Sequence, residues 1–242
     1  MSDSYSSIAE NYDYIFPLNP LQKMFLTSRI PSGKNISVLD LGCGTGSLAI
    51  ALAEEEDYNI VGIDNDPNMI DVAQSKVKGK NPVFLVEDMT KVQRSFKAES
   101  FDAIYSFGNS LVHLSNPDDI ENLFQTAKTL LKPGGKFLGQ IINYRRIFDK
   151  MVTGLPTIDN EHISFERGYQ FTGPGAPLYF KTRLLTKKDG KILENKEVLY
   201  PLLPEEALFF LENAGFYDID LYGAFNGDGL LSDSYSFIFV AR

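Results

Sequence analysis

Between residues 38 and 46 the chain reads VLDLGCGTG. Gly42, Gly44 and Gly46 alternate with other residues directly behind an apolar run that has the length of a buried strand. Glycine there admits positive φ and lets the backbone approach a ligand closely. The carboxyl ends of strands are where open parallel sheets bind ligands. Spacing and charge then choose the ligand. A dinucleotide turn reads G-x-G-x-x-G and aims a helix N-terminus at a pyrophosphate. Here the pattern is G-x-G-x-G, with Asp40 ahead of it. A carboxylate at that point repels phosphate and suits a cationic amino group. S-adenosylmethionine carries an ammonium, a sulfonium and no phosphate, so the charge pattern prefers it to NAD.

Two further carboxylates fit the same reading. Asp64 ends the apolar run NIVGID, about twenty residues after the turn, where an acid can accept both hydroxyls of a ribose. Its competing use, as a cap for the helix beginning near Pro67, suits Asp66 at least as well. In VEDM, Asp88 is placed to meet an adenine amino group and Met89 to lie against the ring.

The elements that must position these groups alternate. ISVLDLG, NIVGID, PVFLVED, FDAIYSFG and KFLGQIIN read as five strands, and the segments 47–56, 67–77 and 116–131 between them carry helical spacing. Such alternation indicates βαβ units and a parallel sheet. Two short helices, 5–16 and 19–30, precede it. After about residue 143 the pattern becomes β-rich and antiparallel, with Asp189-Gly190 as a tight-hairpin signal. A helix at 204–216 and two final strands then resume the core. The expected organisation is an N-terminal helical cap (1–36), a core in two pieces (37–140 and 201–242) and a β-rich lid insertion (141–200).

Bulk composition narrows the class. A net charge of −9 argues against a long nucleic-acid footprint, which needs clustered Lys and Arg. The single cysteine, Cys43, lies in the glycine turn, so an intrachain disulfide is excluded. The N-terminus lacks the charged and apolar regions of a signal peptide, and no apolar run approaches the length of a membrane span. These features point to a cytoplasmic protein with no membrane partner.

In order along the chain, VLDLGCGTG, IVGIDNDPNMI, VEDM, FDAIYSFGNSLVHL, LLKPGGKF and FLENAGF with its two following strands resemble the motifs of the class I S-adenosylmethionine-dependent methyltransferases. The resemblance runs from Val38 to Arg242. It implies an α/β, Rossmann-like, seven-stranded mostly parallel sheet whose last strand is antiparallel. By the same resemblance Asp40, Gly42, Gly44 and Gly46 hold the methionine end of the cofactor, with the Cys43 backbone nearby. Asp64 holds the ribose, Asn65 and Met69 lie beside the adenosine, and Asp88 and Met89 bracket the adenine. The N-terminal tyrosines Tyr5, Tyr12 and Tyr14 lie on a segment that folds over the cofactor in similar enzymes. Tyr12 is assigned to the cofactor and Tyr14 to the reacting end.

Methyl transfer from a sulfonium is an in-line displacement with a good leaving group, so alignment dominates. A hydroxyl acceptor needs a general base, whereas an amine must only arrive deprotonated. The fourth strand exits into SFGNSLVHL, where Phe107 is a cofactor candidate and Asn109 and His113 are the catalytic candidates. The His113 imidazole is the candidate general base. This stretch is similar to one in glycine and sarcosine N-methyltransferases. The arginine that precedes an Asn-Tyr pair in that family is here Ile142, with Arg145 and Arg146 shifted beyond Asn143 and Tyr144. The expected activity is methylation of a nitrogen or oxygen of a small molecule, with no metal and no nucleic-acid partner, and a homodimer left open. An RNA or protein methyltransferase and a cofactor-binding protein without catalysis are the alternatives.

Overall fold

The computed structural model describes residues 3–56, 58–171 and 178–242. Two helices, α1 (Asp3–Ile15) and α2 (Pro20–Thr27), lead into the alternating part: β1 (Ser37–Leu41), α3 (Ser47–Glu56), β2 (Asn59–Asp64), α4 (Pro67–Lys76), β3 (Val83–Val86), β4 (Phe101–Ser106), α5 (Pro117–Leu130) and β5 (Leu131–Ile142). Then follow α6 (Tyr144–Asp149), four strands β6 (Gly154–Asp159), β7 (Ile163–Gln170), β8 (Leu178–Thr186) and β9 (Ile192–Leu199), α7 (Pro204–Asn213), β10 (Ile219–Tyr222) and β11 (Ser236–Ala241).

The main sheet has the order β10-β11-β5-β4-β1-β2-β3. Strands β1 to β5 pair in parallel, while β11 runs antiparallel to both neighbours. The expected seven-stranded, Rossmann-like sheet with an antiparallel last strand is therefore observed. The chain reverses direction across the sheet between β1 and β4, so the carboxyl ends of these two strands open a crevice. Period-two alternation on β1 sends Leu39 and Leu41 into the core layer beneath α5 and α7, and Val38 into the layer beneath α2 to α4.

Local chemistry explains the boundaries. Asn19, Asp66 and Asn116 each accept a hydrogen bond from a first-turn backbone N–H, with Pro at the first helical position of α2, α4 and α5. Asp66 is thus the cap of α4, and Asp64 is left for other work. β5 begins at Leu131, earlier than the sequence pattern indicates, because KPGG is accommodated inside the strand as an irregularity: Phe101 pairs with Leu131, but Ala103 pairs with Lys136.

The four remaining strands form a separate antiparallel sheet, β6-β7-β8-β9. The β8–β9 connection uses the Asp189-Gly190 pair: Gly190 has φ +71° and the Asp189 carboxylate accepts from Thr186 Oγ1 and Lys191 N. Ile163, Phe165 and Leu184 of this sheet enclose Ile15 of α1 in a small core of their own. The second sheet is thereby tied to α1 on one side and, through Tyr169, Leu178 and Leu199, to the main core on the other. No helix among the described residues is long and apolar enough to cross a membrane.

Candidate active site

The glycine turn wraps over the end of β2. Gly42 N and Cys43 N both donate to Ile63 O at 2.9 Å, Gly44 N donates to Asp64 Oδ2 at 2.9 Å, and Gly46 N donates to Cys43 O. Gly42, Gly44 and Gly46 all have positive φ. These amides, which in a phosphate-binding turn would face the ligand, already have protein acceptors. A pyrophosphate would find no such row of donors here, and it would meet two carboxylates.

Of those carboxylates Asp40 is buried and Asp64 half-buried. Asp40 is 4% exposed and accepts from Tyr105 Oη at 2.8 Å. Burial, reinforced by the charge of Asp64 and opposed by the Tyr105 bond, pushes its pKa up to about 7. Asp64 is also raised by burial, although bonds from Asp66 N and Gly44 N hold it down in part. A buried acid and a half-buried one, with no Lys or Arg paired to either among the described residues, suit a ligand with positive charge. A cationic ligand will favour both ionised forms, so its binding must release protons. Titration of S-adenosylhomocysteine near pH 6.5 in buffers of different ionisation enthalpy is expected to reveal release of a fraction of a proton up to about one. Affinity should rise with pH through about 7. Asp40 binds its proton more tightly in the folded protein than in the unfolded one. The free protein therefore loses stability as pH rises from 3.8 to about 7, and Asp40→Asn should flatten that slope.

Helix α1 closes over the turn. The Tyr12 ring stands 3.1 Å from where a Cβ on Gly44 would lie, and its hydroxyl is pushed up by burial and by Asp64 and Asp40. Asp13 accepts from Thr45 Oγ1, from Ser47 Oγ at 2.9 Å and from Lys76 Nζ at 2.7 Å. Burial opposes its charge, but these donors hold its pKa below the usual value. No motif around Asp13 flags it; the one pointer lies at Thr45 and Ser47, whose hydroxyls need an acceptor. Asp13→Ala should expose α1 to faster hydrogen exchange and weaken S-adenosylhomocysteine by roughly five- to tenfold, on the scale of one or two net hydrogen bonds.

Other candidates fall into three groups. Met89 reaches the turn, its Cε 3.4 Å from the Cβ position of Gly42, while Met69 is buried on α4 and Asn65 is exposed beyond the end of β2. Asp88 caps a 3-10 turn (Met89–Arg94); three of its roughly four lone-pair sites are occupied by Thr90 N, Thr90 Oγ1 and Lys91 Nζ. The Cys43 thiol is pushed up by burial and by the two acids, which removes it as a nucleophile. The Phe107 ring packs between Tyr105 and Phe225 in the core, so only its backbone is free to meet a cofactor.

The catalytic candidates are partly corrected. Tyr14 does not lie over the turn: its ring is 45% exposed and stacks on His162, centroids 3.9 Å apart, because the end of α1 is pulled towards the β6–β7 loop. The Tyr5 side chain lies outside what is described. Asn109 has φ +75°, and its side chain is a bracket: Oδ1 accepts from Ile142 N and Nδ2 donates to Tyr144 Oη. Its amide therefore positions the end of β5 and Tyr144, with one N–H and one lone pair left over. His113 ends the 3-10 turn Ser110–His113, and its Nδ1 lies 3.0 Å from Glu197 Oε2 on β9. It is near enough to Asp64 to stabilise that carboxylate. Tyr144 and Tyr105, missed in the sequence, are tyrosines at apolar strand or helix positions whose buried hydroxyls require partners.

The profile of a family described as "Methyltransferase domain" matches residues 38–135, which span the turn, Asp64, Asp88 and His113. A protein of Geobacillus sp. (strain WCH70) named as a methyltransferase is 27% identical over 210 residues, covering 85% of this chain and 83% of that one. Among solved structures, an S-adenosylmethionine-dependent methyltransferase from Clostridium acetobutylicum superposes with a TM-score of 0.81 at 18% identity, covering 99% of both chains. A sugar N-methyltransferase from Streptoalloteichus sp. superposes with a TM-score of 0.70 at 17% identity, covering 100% of this chain and 94% of that one. The structural likenesses speak for the fold. None of these proteins is a glycine or sarcosine N-methyltransferase, and the likeness of the fourth motif to that group gains no support from them.

Proposed function

The chain belongs to the class I S-adenosylmethionine-dependent methyltransferases, and from that premise we propose that it methylates a nitrogen or oxygen of a small molecule held between the main sheet and the second, antiparallel sheet. The observation that carries the reading is the pair of acids, buried Asp40 and half-buried Asp64, beside a glycine turn whose amides have protein partners. In this reading Asp64 accepts the ribose hydroxyls and Asp40 faces the methionine ammonium across the turn. Met89 and Met69 flank the adenosine, and Asp88 offers its last lone pair to the adenine amine. S-adenosylmethionine, when bound, supplies a methyl group on a positively charged sulfur.

The rest is done by the protein. Helix α1 and the second sheet exclude water from the strand ends. Asn109 fixes the approach of Tyr144, and His113, oriented by Glu197, takes the proton from a hydroxyl acceptor. A macromolecular acceptor would need an open docking face, whereas here the second sheet and α1 pack over the strand ends.

Incubation with S-adenosylmethionine and matched sets of small amines and alcohols, with S-adenosylhomocysteine measured by mass spectrometry, tests this. Turnover of at least one small acceptor is expected. His113→Gln should cut kcat roughly 100-fold for a hydroxyl acceptor, by loss of the base, and leave an amine acceptor within a few-fold. Turnover with RNA or protein alone would overturn the reading.

A further inference from the structure

The inner face of the second sheet is readable row by row, because cross-strand partners share a face. One row is Phe165, Leu184 and Leu193, which packs on α1. Another is Tyr169, Phe180 and Glu197, which packs on the main core and on His113. Between them runs Arg167, Thr182 and Asn195. This middle row starts from buried Leu155 on β6 and is polar from Arg167 onward, between the row that packs on α1 and the row that packs on the main core.

The polar groups of the row are only partly satisfied by the described residues. Arg167 donates from one amino group to Pro156 O at 2.8 Å, but its Nε is buried without a hydrogen-bond partner. Among the described residues Arg167 meets no carboxylate, and neither Thr182 nor Asn195 has a side-chain hydrogen bond. The outer face differs: Arg183 lies between Glu166 and Glu194 in cross-strand pairs. Arg167 stands 5.9 Å from the Phe16 ring, which lies 5.2 Å from Tyr12 against the glycine turn. On its other side is Tyr169, whose buried hydroxyl also has no well-formed partner and whose ring faces Tyr144. Arg146, near Tyr235, adds a second guanidinium with a buried, unpartnered nitrogen. Burying a guanidinium nitrogen with nothing to receive it is costly, and a planar guanidinium is suited to receiving two oxygens of an acid.

We infer that the methyl acceptor carries an oxyanion, a carboxylate or a phosphate, and that Arg167 binds it with Thr182 and Asn195 beside it. This rests on the proposal that the acceptor is held between the main sheet and the second sheet. The arginine lies on the lid and not after β5, so the acid end of the acceptor is held by the second sheet while its nucleophile points down towards the glycine turn.

The test follows the Arg Nε–H resonances of isotopically labelled full-length protein, assigned through bonds and checked by loss of one signal in Arg167→Lys. Sodium acetate, inorganic phosphate and acetamide are titrated with and without S-adenosylhomocysteine. The expected result is a saturable shift of the Arg167 signal, roughly tenfold tighter for an anion than for acetamide, as charge-assisted pairing requires, and weakened in Thr182→Val. Tighter acetate marks a carboxylated acceptor; tighter phosphate marks a phosphorylated one. A linear shift no larger than that of outer-face Arg183 overturns the inference. Failure of S-adenosylhomocysteine to bind would instead strike the cofactor site, and the two failures are read from separate signals.

Discussion

Asp64→Ala is expected to weaken S-adenosylhomocysteine by roughly 100- to 10,000-fold, since it deletes two charge-assisted hydrogen bonds worth about 1.5–3 kcal/mol each. The carboxylate has a second task that sharpens the test. Its Oδ2 receives Gly44 N and its Oδ1 receives Asp66 N, so it also pins the glycine turn to β2. Asp64→Asn keeps one carbonyl oxygen for that purpose but loses the charge and half of the acceptor capacity. The alanine variant should therefore lose both affinity and loop order, and the asparagine variant mainly affinity. Calorimetric titration gives the first quantity and hydrogen exchange at residues 42–46 the second. Alanine binding within threefold of the parent would remove Asp64 from the cofactor site.

Gly46→Ala is the substitution expected to cost most stability at the turn. A Cβ there would stand 2.3 Å from Phe84 Cζ, and φ at this position is +74°. The same ring lies 2.6 Å from the Cβ position of Gly62, so two glycines make room for one buried phenyl group. The ring is thus wedged between the turn and β2. Overpacking of a tight core and a side chain at positive φ should together cost about 3 kcal/mol, a fall in Tm of roughly 6–12 °C for a chain of this size. Phe84→Leu in the same background should recover the part due to the clash and leave the part due to φ. A double-mutant cycle separates the two. Additive losses would mean that the ring and the turn do not share that space.

The parts of the molecule legible in the sequence are those where periodicity, glycines and caps agree. Helix α3 and strand β2 lie at the bounds their patterns indicate, and Asp66 takes the cap that frees Asp64. Elements with weak local signals were missed. Helix α6 has only six residues, too few for a 3.6-residue period to emerge. Strand β6 contains Pro156, which suits an edge strand and mutes the strand pattern. The acids proposed for the cofactor could be read because they lie at or next to the ends of apolar strands. The inward row of the second sheet could not, because a slip of one residue exchanges Arg167 for Glu166 and reverses every side chain. Tyr14 is placed over the cofactor by the resemblance of its segment, but two residues along a helix from Tyr12 it points to another face, where it stacks on His162.

A crystal structure of the S-adenosylhomocysteine complex is the most direct measurement of whether one space serves both substrates. The ribose is predicted on Asp64, the amino group on the Asp40 side of the turn, and the sulfur facing the gap beneath Arg167, Thr182 and Asn195. A nucleoside bound with its sulfur turned away from the second sheet, or seated outside the glycine turn, would contradict the account.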